Sequence, residues 1–179
     1  MKKIVLVCGL IGGAISTTGF LYTMLAGNGA IDFENSMYFG FASMFLAFSL
    51  IFVGIKSYRD KQLGGSIRFG KAFLTGLYIS LVTSTVYVLV WLFYNYTFAP
   101  DFMEKYTEYS LSQLRAAGAS EERVAEEALK MKGFAEMYSN PLFNALMTYM
   151  EILPIGIVIS AVAALILKRK EPGAPDAIV

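Results

Sequence analysis

KSYRDKQLGGSIRFGK, Lys56 to Lys71, is the only strongly basic segment that lies between two long apolar runs, and it orients everything around it. Lys56, Arg59, Lys61, Arg68 and Lys71 stand against the single acid Asp60. Short loops rich in Lys and Arg stay on the cytoplasmic side of a bilayer, so the two flanking runs read as membrane spans whose inner ends meet here. The bulk composition agrees. Of 179 residues, 56% are hydrophobic and 16% charged, and a mean hydropathy of +0.54 argues against a soluble domain of this size. The net charge of +1 hides a segregation of sign along the chain and points to no nucleic acid partner.

Upstream of the basic loop, Met37 to Ile55 is 19 uncharged residues, with Tyr38, Phe39 and Phe41 at the end away from Lys56. The preceding loop, Gly27 to Ser36, carries Asp32 and Glu34 without Lys or Arg and belongs outside. Ile4 to Ala26 gives 23 uncharged residues behind Lys2 and Lys3, enough to cross a hydrocarbon core of about 30 Å at about 1.5 Å per residue. A cleaved signal peptide is the competing reading. It fits less well, because the run is long for an h-region and no A-x-A-like site follows.

Downstream, Gly64-Gly65 signals a turn, with Ser66 expected to cap a helix starting near Ile67. Ala72 to Ala99 is uncharged for 28 residues, longer than a bilayer needs, so tilt or a protruding end is expected. Trp91, Phe93, Tyr94, Tyr96 and Phe98 crowd its outer end as an interfacial belt would. Asn95-Tyr96-Thr97 matches a glycosylation sequon, but its place in this belt argues against use. Pro100 to Asn140 then sets eight acids (Asp101, Glu104, Glu108, Glu121, Glu122, Glu126, Glu127, Glu136) against five bases, which suits the outside. It reads as a helical hairpin over about 101–139. Asp101-x-x-Glu104 has the form of a capping box, with Phe102, Tyr106 and Tyr109 on one face. After Ala117-Gly118-Ala119, Ser120 caps a second helix with a narrow apolar stripe of Val124, Ala128, Met131, Ala135 and Tyr138. So small a hairpin must dock on the membrane face, the span ends or another protein. Asn140-Pro141 starts the last helix, Lys168-Arg169-Lys170 ends it, and Pro154 is expected to kink it. Counting about 20 residues back puts this span at 148–167. The tail 171–179, with Pro172 and Pro175, reads as disordered and cytoplasmic.

Chemistry is sparse. There is no His, and the single Cys8 excludes an internal disulfide, so zinc, haem and iron–sulfur sites lack their usual ligands. No catalytic constellation, cofactor site or metal site is legible. Glu151 is the one ionisable acid or base inside a predicted span, and such residues are functional hypotheses because they are costly in hydrocarbon. At helical spacing it shares a face with Asn144 and Thr148. It reads either as a proton-titrating or cation-binding carboxylate in a bundle interior, or as a carboxyl near the interface bonded to another span. Small residues recur at four-residue spacing: Gly9, Gly13, Thr17; Ser43, Ala47; Gly76, Ser80, Ser84; Gly156, Ser160, Ala164. They permit close helix approach. The hydroxyls of Ser80, Thr83, Ser84 and Thr85 either line a polar path or bond their own helix.

GGSIRFGKAF (Gly64 to Phe73), PDFMEKY (Pro100 to Tyr106) and NPLFNALMTYMEILPIG (Asn140 to Gly156), with the basic end of the last span, resemble a bacterial integral-membrane family, domain of unknown function 4199. The likeness covers roughly Met1 to Lys170. It implies a four-span inner-membrane protein and carries over no catalytic residues.

The expectation is therefore an all-α, four-transmembrane-helix bundle with spans near 4–26, 37–55, 72–99 and 148–167. An extracytoplasmic hairpin joins spans 3 and 4, and both termini are inside. Its expected partners are the lipid bilayer and, through the hairpin, a second copy or another membrane protein. A non-enzymatic scaffold or accessory role is the leading functional reading. A small oligomeric transporter or channel component using Glu151 is the alternative.

Overall fold

A computed structural model of the chain describes residues 1–26 and 33–169. Six helices follow one another: α1 Lys2–Ala26, α2 Phe33–Gln62, α3 Phe69–Thr97, α4 Phe102–Ala116, α5 Glu121–Tyr138 and α6 Pro141–Leu167. Four of them, α1, α2, α3 and α6, are long and apolar enough to cross a membrane. The tail 171–179 and most of the acidic loop before α2 lie outside the described residues. The helices outrun the expected spans. α2 continues through the charged residues to Gln62, and α6 starts at Pro141, because charge ends a span without ending a helix.

Four long helices alternate in direction and pack as a rhombus. α2 and α3 each touch the other three, while α1 and α6 take opposite corners. Phe48, Ile51, Ile55, Ile79 and Ile152 fill the centre at 0% exposure. The small residues bring the backbones together. A Cβ on Gly76 would lie 2.9 Å from the Ser160 side chain, and one on Gly156 would lie 2.8 Å from Ser80 and from Phe48. Ser80 and Ser160 hydroxyls meet at 3.1 Å between them. On the other side of α3, Gly9 and Gly13 of α1 sit against Val82 and Val86, and the Thr83 hydroxyl donates to the Gly9 carbonyl at 3.2 Å. Thus the four-residue spacings serve packing within one bundle.

The basic end is tied by backbone bonds. After α2, Gly64 and Gly65 adopt φ of 65° and 92°, a region where a side chain is strained, and the Gly65 N–H returns to the Arg59 carbonyl at 3.0 Å. The chain then runs extended, and Ile67 forms a two-bond antiparallel bridge with Arg169, at 3.0 and 2.9 Å. Ser66 does not cap α3. The N-cap is Arg68, without a side-chain cap bond, because Ile67 is drawn into the bridge and its side chain into the core at 3% exposure. Arg59 donates to the Leu167 carbonyl at 3.1 Å, covering one of the open carbonyls of α6. The N-terminal ammonium bonds Gln62 at the same end.

At the opposite end, α4 and α5 form a hairpin turning at Gly118, φ 80°. No residue of α4 and only Val124 of α5 is buried, so the pair makes no core of its own. Ser120 caps α5 as its position implies, accepting from the Arg123 N–H at 3.4 Å. The capping box at Asp101 does not form. Its carboxylate turns instead to Lys105 Nζ at 2.8 Å, one helical turn on. α6 starts as the sequence indicates, with Asn140 Oδ1 accepting from the Leu142 N–H at 2.9 Å and Pro141 at the first position. It runs unbroken through Pro154.

Candidate functional site

The hairpin end of α3 and α6 carries the densest buried polar cluster described. α3 presents Trp91 and Asn95 one turn apart, and α6 presents Asn144 and Thr148 one turn apart, so two antiparallel helices bring four polar side chains to one level. Asn144, at 0% exposure, accepts from Trp91 Nε1 at 3.1 Å and donates through Nδ2 to Asn95 Oδ1 at 3.2 Å. Thr148 donates to the Asn144 carbonyl at 2.9 Å. The Trp91 N–H is shared with the Tyr138 hydroxyl of α5 at 3.0 Å. Asn95 Nδ2 returns to the Ala99 carbonyl at 3.4 Å. Every polar group of Asn144 is thereby used, which is what an amide buried in an apolar bundle requires.

This cluster is also how the hairpin holds on. Tyr138 reaches it from α5, and Tyr96 donates to the Ser139 carbonyl at 3.1 Å. On the α4 side, Phe33 at the start of α2 contacts the rings of Phe102, Tyr106 and Tyr109, with centroids at 5.9, 5.6 and 5.1 Å. Phe102 meets Trp91 edge-on at 4.9 Å. The aromatic face read on α4 is thus spent on the bundle's own helix ends. Burial raises the Tyr138 phenol above the ordinary tyrosine range, and the nearby Glu151 charge adds to the rise while the Trp91 N–H opposes it.

The three residues grouped by helical spacing do not act together. Asn144 and Thr148 are buried in the cluster, whereas Glu151 lies exposed on the flank of α6. Among the described residues it makes no ion pair, and no group of three or more metal-ligating side chains occurs. The separation follows from the buried stripe of α6 advancing in steps of four, through Asn144, Thr148, Ile152, Gly156 and Ser160, which leaves Glu151 about 100° around the helix from Ile152. Of the four neighbouring α3 hydroxyls, Ser80, Thr83 and Thr85 are spent on carbonyls, while Ser84 Oγ is buried without a hydrogen-bond partner among the described residues. Ser80 bonds the Gly76 carbonyl at 3.0 Å, and Thr85 bonds the Leu81 carbonyl at 2.7 Å while taking the Tyr149 hydroxyl.

Sequence reasoning placed Trp91 and Asn95 in an interfacial belt and Tyr138 in the stripe of α5, and so missed the cluster. Two uncharged polar residues one turn apart near a span end, facing another such pair on a neighbouring span, are the signal that was present. It also missed a second α5 stripe. Leu129, at 72% exposure, and Met137, at 51%, lie either side of Gly133 at four-residue intervals. With Met131 and Phe134 they line an open apolar groove flanked by Glu127 and Lys130.

Fold and site together define a helical membrane-type protein whose four long apolar helices carry a docked polar-surfaced hairpin. The chain belongs to the DUF4199 family, described as a protein of unknown function, whose family model matches residues 8–169. No curated protein and no solved structure matches it.

Proposed function

We propose that this is a non-enzymatic membrane scaffold or accessory protein that acts through its hairpin, with both termini in the cytoplasm and the hairpin outside. The observation that carries the reading is the apolar stripe Leu129–Gly133–Met137. It stays exposed on α5 although the aromatic face of α4 is already set against Phe33 and Trp91. An apolar stripe that its own fold leaves uncovered suits a helix of another membrane protein or of a second copy. The centre of the bundle is filled by Phe48, Ile51, Ile79 and Ile152, which supports this reading over a path through a single chain. In the full-length chain, Leu129→Lys with Met137→Lys is expected to dissociate the assembly by at least about tenfold in affinity, the scale for burying two large apolar side chains. Multi-angle light scattering and crosslinking in membranes read that change. An unchanged assembly state together with unchanged membrane partners sinks the reading.

One observation favours a second reading, a transporter or channel formed between copies. Glu151 is a surface carboxylate within a membrane-length helix, and such a group needs water, a proton, a cation or a neighbouring chain. On that reading Glu151→Gln abolishes proton or cation flux in proteoliposomes. Flux unaltered by the substitution removes Glu151 from consideration.

A further inference from the structure

The basic end of the bundle holds two cations, Arg68 and Lys168, that make no ion pair among the described residues. Because Ile67 and Arg169 exchange both backbone hydrogen bonds in an isolated antiparallel bridge, the next positions on the helix side, Arg68 and Lys168, come opposite each other, in the place that a non-hydrogen-bonded pair takes in an antiparallel ladder. Such pairs have Cα atoms about 4.5 Å apart and side chains on the same face. Both residues are extended, with φ/ψ of −76°/152° and −56°/136°. Ile67 turns its side chain into the core, so Arg68, its neighbour in an extended chain, turns away from it. Like charges placed opposite each other repel, and neither residue has an ion pair among the described residues. The one acid of this end among the described residues, Asp60, is committed elsewhere. It is bonded to Arg59 at 2.7 Å, with Lys56 and Arg169 as its other cationic neighbours.

We infer that Arg68 and Lys168 together bind the phosphate group of an anionic phospholipid. Two cations held side by side by a backbone bridge match one phosphate, the guanidinium offering paired donors and the ammonium a point charge. The location selects a lipid over a free anion. Arg68 immediately precedes α3 and Lys168 immediately follows α6, so both leave membrane-length helices at the depth where headgroup phosphates lie. The inference rests on those helices spanning the bilayer and is independent of the hairpin's role.

The test uses the full-length chain in phosphatidylcholine vesicles with spin-labelled phosphatidylglycerol as the probe. The wild type is expected to retain phosphatidylglycerol in preference to phosphatidylcholine. Arg68→Gln with Lys168→Gln is expected to lower that preference on the order of fivefold for each cation removed, while Lys2→Gln with Lys3→Gln, an equal change of charge, keeps most of it. An unchanged preference in the Arg68/Lys168 variant overturns the site, and an equal loss in the Lys2/Lys3 variant assigns the effect to diffuse charge. Displacement of the probe by millimolar inorganic phosphate assigns the site to a soluble anion and overturns the lipid assignment. A second readout guards against a folding defect. In neutral detergent Arg68→Gln is expected to melt no lower than the wild type, since a repulsion is removed, and to lose the rise that added phosphatidylglycerol produces. A lower melting point in neutral detergent makes Arg68 structural and overturns the like-charge argument.

Discussion

Asn144 shows how much a single residue is asked to do. Its amide joins α3 to α6 through Trp91 and Asn95 and stands one bond from Tyr138 of the hairpin. Asn144→Ala strips partners from two buried groups at once and is expected to destabilise the protein by about 1–3 kcal/mol, toward the lower part if lipid or water reaches the site. Denaturant unfolding in detergent measures it. Ser49→Ala is the control. The Ser49 hydroxyl is exposed and bonds only the Leu46 carbonyl of its own helix, so its loss belongs within about 0.5 kcal/mol. A smaller effect at Asn144 than at Ser49 contradicts the cluster's role. That Asn144 shares a helix face with Thr148, just before the expected span at 148–167, was legible from its spacing. Its partners were not, because register between antiparallel helices is set by which small residues meet, here Gly76 with Ser160 and Gly156 with Ser80.

Among the elements, the hairpin is the one held by few contacts, and those are polar and aromatic. Tyr138 is expected to make its docking pH-dependent. Its phenol pKa is raised in the folded protein, chiefly by burial, so its contribution is complete below the unfolded value of about 10 and is lost as pH rises through the folded one. Hydrogen exchange of α4 and α5 is accordingly expected to speed up above about pH 10 while the centre of α3 stays protected. Tyr138→Phe keeps the ring, removes the titration and should flatten that dependence. If the variant shows the same alkaline step, Tyr138 is not its source. The extent of both hairpin helices could be read from Ser120, Gly118 and Asn140, since caps and turns are local chemistry. Where the hairpin docks could not, because the Phe33 ring that receives α4 stands 69 residues before Phe102.

At the scale of the molecule, charge and packing divide the labour. With Cys8 removed, a thiol introduced at Ser66 is expected to resist a membrane-impermeant reagent applied to intact cells, and one at Ser120 to react. The opposite pattern reverses the orientation argued from the basic loop. The sequence by itself determined the number of membrane-length helices, the hairpin between the third and fourth, and the sign of charge at each end, because hydrophobic run length and charge bias act locally along the chain. Only the tertiary structure decided that Asn144 and Thr148 are buried while Glu151 stands on the surface, that α5 leaves a second apolar stripe uncovered, and that Ile67 pairs with Arg169, which sets Arg68 and Lys168 at one level with no ion pair among the described residues. Each depends on which residues meet across helices or strands far apart in the chain, and the rotation and register that settle this arise only when the helices pack.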